Sequence, residues 1–385
     1  MKKKKKILIV TSNTKMFFNF REDLVKDFIK HGYNVSVVVP EAGFKEQFLE
    51  LGAKEIVISM NKNTTSVFKN LSYIKTMKKI VKEEKPDIVF SYTIKPIILG
   101  TLAARLNKIK NIYSMVTGLG HLYEDNVGFK TKVIRFICGN LYKIAFRYNK
   151  KIIFQNQDDI DEVVRRRYVK REKCELVSGS GVNMKKFMKI DLPKEDSFIM
   201  VSRILKSKGV LEYFEAAKMV KEIYPNTKFT YVGRLDKTSY AIKYEDLKPY
   251  IDSDIIEYIP GTDNVFKYLK NARVYVLPSY YREGIPRASL EALATAKPII
   301  TTDSIGCREV INGKNGFLVK PRDVLDLKEK MIYMIEHKEE VEKMSEESYK
   351  YCKERFEISK INKKMLEILG ISKWVVEINL KKIRK

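Results

Sequence analysis

Val274-Tyr275-Val276-Leu277-Pro278-Ser279-Tyr280-Tyr281-Arg282-Glu283-Gly284-Ile285-Pro286-Arg287-Ala288-Ser289-Leu290-Glu291-Ala292 is the stretch that decides the fold. Its first four residues read as a short buried strand, stopped by Pro-Ser. Gly284 and Pro286 keep the next segment irregular, and an apolar helical period starts near Arg287. Glu283 therefore lies on a loop and Glu291 about one turn into a helix. Both sit at the carboxyl end of a strand, where open α/β sheets take up their ligands. Backbone N–H groups there favour an anion, while the two carboxylates accept hydrogen bonds from hydroxyls. Together they describe a ligand that is phosphate at one point and polyol at others, as a nucleotide sugar is. A lone pair of glutamates at this spacing also reads as a solvated helix carboxylate and a loop charge, so the surrounding residues have to decide.

Outward from this stretch, Lys297-Pro298-Ile299-Ile300-Thr301-Thr302-Asp303 is a second short strand. Gly306-Cys307-Arg308-Glu309-Val310-Ile311 and Asn315-Gly316-Phe317-Leu318-Val319 follow it. Strand-like segments also precede it, at residues 198–202, 227–232 and 256–258, with a helix over 209–223. The first half alternates in the same way. Strands are expected at 7–11, 35–39, 55–59, 88–91, 111–115 and 151–156. Helices are expected at 20–30, 43–51, 67–84, 97–106 and 130–148. Strands separated by helices of this length indicate βαβ units and parallel sheets. Around Val177-Ser178-Gly179-Ser180-Gly181-Val182 the alternation breaks and then restarts, which divides the chain into two doubly wound Rossmann-like domains with an expected cleft between their sheet edges.

With 385 residues, 44% of them hydrophobic and 11% aromatic, the chain is long enough for two domains with separate cores. No run approaches the ~20 apolar residues of a membrane-spanning helix. Lys2 to Lys6 precede only four apolar residues, Ile7-Leu8-Ile9-Val10, which read as a first strand rather than a cleavable signal. A cytoplasmic location is expected. Cys138, Cys174, Cys307 and Cys352 are widely spaced with no C-x-x-C, so free thiols are expected. The net charge, 74 − 48 = +26, calls for acidic partners: nucleic acid, anionic lipid or a diphosphate substrate. No helix-turn-helix, RNA-recognition motif or aromatic stacking pair accompanies the basic residues, which argues against a nucleic-acid-binding protein.

The run from Pro278 to Val319, with its strand, paired glutamates, Pro-Ile-Ile strand and Asn-Gly-Phe-Leu-Val strand in that order, resembles the retaining glycosyltransferases of family GT4, which have the GT-B fold. The resemblance implies two Rossmann-like domains, 1–182 for the acceptor and 183–367 for the nucleotide sugar, with a C-terminal helix, 368–385, crossing back to the first. Trp374-Val375-Val376 is expected to anchor that helix. Arg203 and Lys208 in Ser202-Arg203-Ile204-Leu205-Lys206-Ser207-Lys208-Gly209 match the family's diphosphate-binding cations, with Lys206 a bystander. Solvated loop cations are the alternative reading. The resemblance further implies that Glu291 binds ribose, that Glu283 faces the sugar, and that Gly284, Ile285 and Pro286 line the pocket. Tyr258-Ile259-Pro260-Gly261-Thr262 is placed to hold the base. Nothing in the sequence separates uracil from guanine or adenine, and UDP is the family's commonest donor nucleotide. Metal independence is implied as well, and no D-x-D stands where a metal would bridge a diphosphate. Asp158-Asp159 reads as a helix N-cap pair.

Thr11-Ser12-Asn13-Thr14-Lys15 stands where the family often has a glycine-rich loop facing the donor phosphates, which makes Asn13 a donor-binding candidate. Asn19-Phe20-Arg21, Tyr92-Thr93-Ile94-Lys95-Pro96 and Val116-Thr117-Gly118-Leu119-Gly120 resemble the branch that extends bacterial lipid-linked oligosaccharides, including N-acetylgalactosaminyltransferases acting on undecaprenyl-diphosphate sugars. Arg21, Lys95 and Thr117 are then candidates for the acceptor. His121 is a candidate general base or a structural loop residue. The resemblance implies transfer of a hexose or N-acetylhexosamine to a polyprenyl-diphosphate-linked saccharide. A nucleotide-sugar epimerase of the same fold is the alternative, but its acid/base groups are not recognisable here. Residues 127–151 interleave Lys130, Lys132, Arg135, Lys143, Arg147, Lys150 and Lys151 with Phe129, Val133, Phe136, Leu141, Ile144 and Phe146, and contain no acid. They read either as a helix lying in an anionic membrane interface, peripheral on the inner face of the plasma membrane, or as a domain helix with its apolar face in the core.

Overall fold

The computed structural model describes residues 4–59, 67–124, 127–236, 238 and 241–371. The 374–376 segment lies outside them. The chain divides into two compact units, residues 1–180 with 359–385, and residues 181–358. The sequence reading places the division after residue 182. The C-terminal boundary falls earlier than 368.

The first unit alternates β1 (Lys6–Val10), α1 (Thr14–Lys30), β2 (Asn34–Val39), α2 (Lys45–Leu51), β3 (Lys54–Val57), α3 (Val67–Glu84) and β4 (Ile88–Tyr92). It continues with α4 (Ile94–Leu106), β5 (Ile112–Val116), α5 (Phe129–Tyr148), β6 (Lys151–Phe154), α6 (Gln157–Arg165) and β7 (Cys174–Leu176). All seven strands are parallel, in the order β3-β2-β1-β4-β5-β6-β7. Because side chains alternate along a strand, β1 sends Ile7 and Ile9 to one face and Leu8 and Val10 to the other. The Leu8 face is covered by helices that include Met77, Ile97, Tyr142 and Phe146.

The Ile7 face is covered by α1 and by α13 (Ile358–Ile368), whose Ile361, Met365 and Leu366 enter its core together with Leu369 and Ile371. Each such side chain contributes about 2 kcal/mol of burial. Asn362 Nδ2 donates to Asp27 Oδ2 at 2.7 Å, and the Tyr113 hydroxyl donates to the Leu369 carbonyl at 3.3 Å. The crossing back therefore begins at α13, before the expected boundary.

Helix α1 starts at Thr14 rather than near residue 20, because the Asn13 side chain accepts the Met16 N–H at 2.9 Å and caps it. In α6 the cap is Asn156, which accepts from Asp159 N, so the Asp158-Asp159 pair occupies the first turn rather than the cap. Helix α5 puts part of its apolar surface into the core and leaves part of it exposed. Gly139, Tyr142, Ala145 and Phe146 are buried, while Phe129 is 80% and Phe136 71% exposed, and Val133, Ile134, Ile137, Leu141 and Ile144 are exposed beside them. Among the described residues no helix is long and apolar enough to cross a membrane.

The second unit contains β8 (Ser197–Val201), α7 (Val210–Ile223), β9 (Lys228–Val232), α8 (Tyr244–Asp252), β10 (Glu257–Ile259), α9 (Phe266–Leu269), β11 (Val274–Leu277) and α10 (Arg287–Ala294). Strands β12 (Ile299–Thr302) and β13 (Gly316–Val319) and helices α11 (Val324–Glu336) and α12 (Lys338–Arg355) complete it. Its six strands are parallel in the order β10-β9-β8-β11-β12-β13.

At the amino edge of this sheet Lys297 is fully buried and its Nζ has no hydrogen-bond partner. Burial first, and the Arg273 guanidinium second, push its ammonium down to about 8. The unfolded lysine titrates near 10.4, so between these values the unfolded chain binds more protons and stability rises with pH. Lys297→Met is expected to be more stable than the wild type at pH 7. The difference between them should shrink by about 3 kcal/mol between pH 7 and pH 10 in denaturant titrations.

Candidate functional site

In the second sheet β8 and β11 are neighbours, but their connections leave in opposite directions, from β8 to β9 and from β11 to β12. Loops after adjacent strands that diverge in this way open a crevice at the carboxyl edge. The loop after β8 closes on the loop after β11. Tyr280 N donates to the Ser207 carbonyl at 2.9 Å, and Ser279 Oγ donates to the same oxygen at 3.3 Å. Gly209 has φ 75°, and a Cβ there would strike the Pro278 carbonyl, so this approach requires glycine. Gly306 is under the same constraint against the Gly284 carbonyl.

Across this junction Lys208 Nζ donates to Glu283 Oε1 at 2.5 Å. Ser279 Oγ donates to the same oxygen at 3.2 Å, and the ammonium lies 5.4 Å from the centre of the Tyr281 ring. Lys208 is only 8% exposed. The Cys307 thiol lies 4.0 Å from Glu283, and burial first and that carboxylate second push it up to about 11, so it stays protonated at neutral pH. Gly284, Ile285 and Pro286 are buried where they lead into α10. Glu291, 14% exposed at its side chain, accepts from Arg287 Nε at 3.0 Å. Burial raises its carboxyl above the usual range, opposed by Arg287 and then by Lys186. Arg203 is exposed and pairs with Asp236 at 3.3 Å, and Lys206 is exposed. Tyr258 and Ile259 end the edge strand β10, and the Tyr258 hydroxyl donates to the Gly233 carbonyl at 3.1 Å.

The first unit has the same reversal between β1 and β4. Ser12 and Thr93, on the two diverging loops, share a hydrogen bond of 2.8 Å. Thr93 has φ 67° and ψ 154°, a conformation that costs a β-branched residue about 1–3 kcal/mol. It sets Lys95 in the first turn of α4, where burial lowers the ammonium below its usual range and the Cys138 thiol acts in the opposite sense. Arg21 is 3% exposed, with Nη2 on Met115 Sδ at 2.9 Å and its guanidinium 5.4 Å from the Tyr92 ring centre. Asn13 uses its side-chain oxygen as the α1 cap. Thr117 follows β5, and His121 opens a single 3-10 turn, His121–Tyr123.

Several contacts at these sites had no sequence signal of their own. Asp159 Oδ2 accepts the Leu119 N–H at 3.3 Å, Arg135 Nη2 donates to the Glu124 carbonyl at 2.9 Å, and the guanidinium groups of Arg135 and Arg166 lie near the Tyr123 ring. Together they hold the segment from Leu119 to Glu124. Ser279 and Arg287 stood inside the quoted stretch without an assigned role. Among the described residues no three His, Cys, Asp or Glu cluster as metal ligands would.

Residues 6–156 match the family described as Glycosyl transferase 4-like, and residues 184–351 match Glycosyl transferases group 1. The chain is 30% identical over 334 residues, 83% of its length and 86% of the relative's, to N,N'-diacetylbacillosaminyl-diphospho-undecaprenol alpha-1,3-N-acetylgalactosaminyltransferase of Campylobacter jejuni. It is 26% identical over 76% of its length, and 77% of the relative's, to UDP-Gal:alpha-D-GlcNAc-diphosphoundecaprenol alpha-1,3-galactosyltransferase of Escherichia coli. Among solved structures, a glycosyltransferase from Rickettsia africae superposes with TM-score 0.77 at 19% identity, covering 96% of this chain and 99% of that one. Anabaena Alr3699/HepE in complex with UDP superposes with TM-score 0.77 at 16% identity, covering 95% and 99%.

The ion pair at the junction is largely removed from water, so deleting one partner strands the other. Lys208→Met and Glu283→Gln are each expected to destabilise the second unit by about 3 kcal/mol. The double variant should lose clearly less than the sum, as measured by a double-mutant cycle in urea.

Proposed function

This chain belongs to the GT4-like glycosyltransferases, and from that premise we propose that it moves a hexose or N-acetylhexosamine from UDP to a polyprenyl-diphosphate-linked saccharide, with retention of configuration. The observation that carries the donor half is the Lys208–Glu283 pair at the carboxyl-edge crevice of the second sheet, with Glu291 on the helix that follows. An incoming diphosphate takes over the Lys208 ammonium, which frees Glu283 for the sugar hydroxyls. Arg203, on the same loop as Lys208, adds a second cation, and Gly284, Ile285 and Pro286 shape the wall. Glu291 takes the ribose hydroxyls. The names of the Escherichia coli relative, which specifies UDP-Gal, and of the Anabaena complex support uridine as the base.

In this reading the acceptor hydroxyl attacks on the face from which the nucleotide leaves, and a phosphate oxygen of the leaving group takes its proton. Bond making needs no protein nucleophile. The departing charge falls on Lys208 and Arg203 rather than on a bound cation. Lys95, half-buried at the start of α4, and Thr117 engage the acceptor, with Arg21 beneath them. The names of the Campylobacter jejuni and Escherichia coli relatives, both acting on undecaprenol-linked diphosphates, support a lipid-linked acceptor.

A lipid acceptor places the enzyme at a bilayer, peripheral on the inner face of the plasma membrane, and α5 is the surface for it. Its exposed apolar face is bordered by Lys130, Lys132, Lys143 and Arg147. Four cations near an anionic leaflet contribute about 4 kcal/mol, and the exposed phenylalanines add apolar insertion.

UDP release measured with and without a polyprenyl-diphosphate saccharide tests the whole reading, and release that never depends on such an acceptor would sink it. Lys208→Ala should lower turnover about 100-fold on every acceptor. Lys95→Ala should do so only on diphosphate-linked ones, and equal losses on soluble sugars would remove its acceptor role. In flotation the protein should rise with anionic vesicles and remain behind with neutral ones, and Phe136→Ser should weaken that binding several-fold.

A further inference from the structure

Arg287 occupies a position that helix energetics do not explain. It is the first residue of α10, where the helix dipole disfavours a cation, and α10 has no acid in its first turn. The order Arg then Glu four residues later is also the less favourable arrangement for a helical ion pair. The side chain is nevertheless mostly buried and held at two points. Its Nε donates to Glu291 Oε1 at 3.0 Å, and its Nη1 donates to the Gly181 carbonyl. A planar guanidinium fixed by two oxygens in different directions has little freedom left. Glu291 is thereby held through one oxygen. Its Oε2 receives no hydrogen bond from any described residue, so it remains an open acceptor at the carboxyl edge of the second sheet.

We infer that Arg287 is the positioning residue for the donor nucleotide, holding Glu291 in the one orientation in which its open oxygen can accept a ribose hydroxyl. The inference rests on the reading that Glu291 is the ribose acceptor and adds the residue that makes it one. Arg287 also opposes the upward push that burial gives the Glu291 carboxyl. The charged and titratable groups around this carboxylate are Arg287, Lys186 from the segment before β8, and the Tyr275 hydroxyl of β11. Cys352 of α12 lies beside Arg287 itself. Without Arg287, Lys186 is the one cation of this group left to oppose burial, and the carboxyl takes up a proton more readily. A protonated Glu291 is a poorer acceptor, so nucleotide affinity in such a variant should rise with pH.

Calorimetric titration of the full chain with UDP, 2′-deoxy-UDP and 3′-deoxy-UDP tests this. The wild type should bind UDP about 10-fold or more tighter than the deoxy analogue that lacks the hydroxyl bonded to Glu291, because a charged hydrogen bond is lost. Its affinity should change little between pH 6 and pH 8. In Arg287→Met the affinity for UDP should fall about 10-fold while that for the deoxy analogue stays the same, and UDP binding should strengthen from pH 6 to pH 8. Arg287→Lys keeps the charge but not the two-point hold, so it should show reduced discrimination with a flat pH profile. Equal weakening for all three nucleotides, or unchanged discrimination in both variants, would overturn the inference and leave the donor reading intact. A wild type that binds UDP and both deoxy analogues equally would overturn the Glu291 reading and this inference with it. Arg287→Lys decides the case if Arg287→Met does not fold.

Discussion

Where β8 and β11 lie side by side and their chains leave in opposite directions, Lys208 and Glu283 close the gap between two loops that are 75 positions apart in sequence. The rest of the second unit is arranged around that contact. Gly209 lets the first loop reach the Pro278 carbonyl, Ser279 and Tyr280 bond the Ser207 carbonyl from the second loop, and Gly306 lets a third segment approach Gly284. A pair so far removed from water gives little net stability, because desolvation offsets much of the attraction. In the proposed reading its value is chemical: it keeps a cation and a carboxylate next to each other where a diphosphate and a sugar can each claim one of them.

The first unit applies the same topology to a different end. At its own reversal between β1 and β4 the chain holds Thr93 in a strained conformation, bonded to Ser12, and buries Arg21 beneath the loops. Strain of this kind persists only where surrounding packing over-determines it. One face of the first sheet is covered by α13, a helix that follows the whole second unit in sequence and returns to the core of the first. On the other face, α5 divides its circumference between core and solvent, and several of its apolar residues stay exposed. The proposed membrane contact gives those residues an apolar partner and their lysine and arginine neighbours a counter-charge.

Most of the architecture could be read directly, because hydrophobic period is a local property. Alternation of short β-branched runs with helical periods marked the parallel sheets, and the glycine-serine segment near residue 180 marked the division between units. Errors fell where a single polar side chain outweighs the period. Asn13 starts α1 six residues before its apolar face is evident, and Asn156 rather than an aspartate pair caps α6. α13 belongs with the first unit because Met365 and Leu366 find their core there, a fact that helical period is unable to express.

The chemistry of the site divided in the same way. Residue type and spacing alone determined that Glu283 and Glu291 flank a helix start, that Arg203 and Lys208 precede another, and that residues 127–151 are basic and aromatic with no acid. Only the tertiary structure decided that Lys208 meets Glu283, that Arg203 turns to Asp236, that Arg287 ties Glu291 to Gly181, and that Phe129 and Phe136 face solvent while Phe146 does not. The reason is physical. Secondary structure follows from neighbours along the chain, whereas side-chain partnership depends on strand order, and strand order is set by packing among segments that sequence distance does not relate.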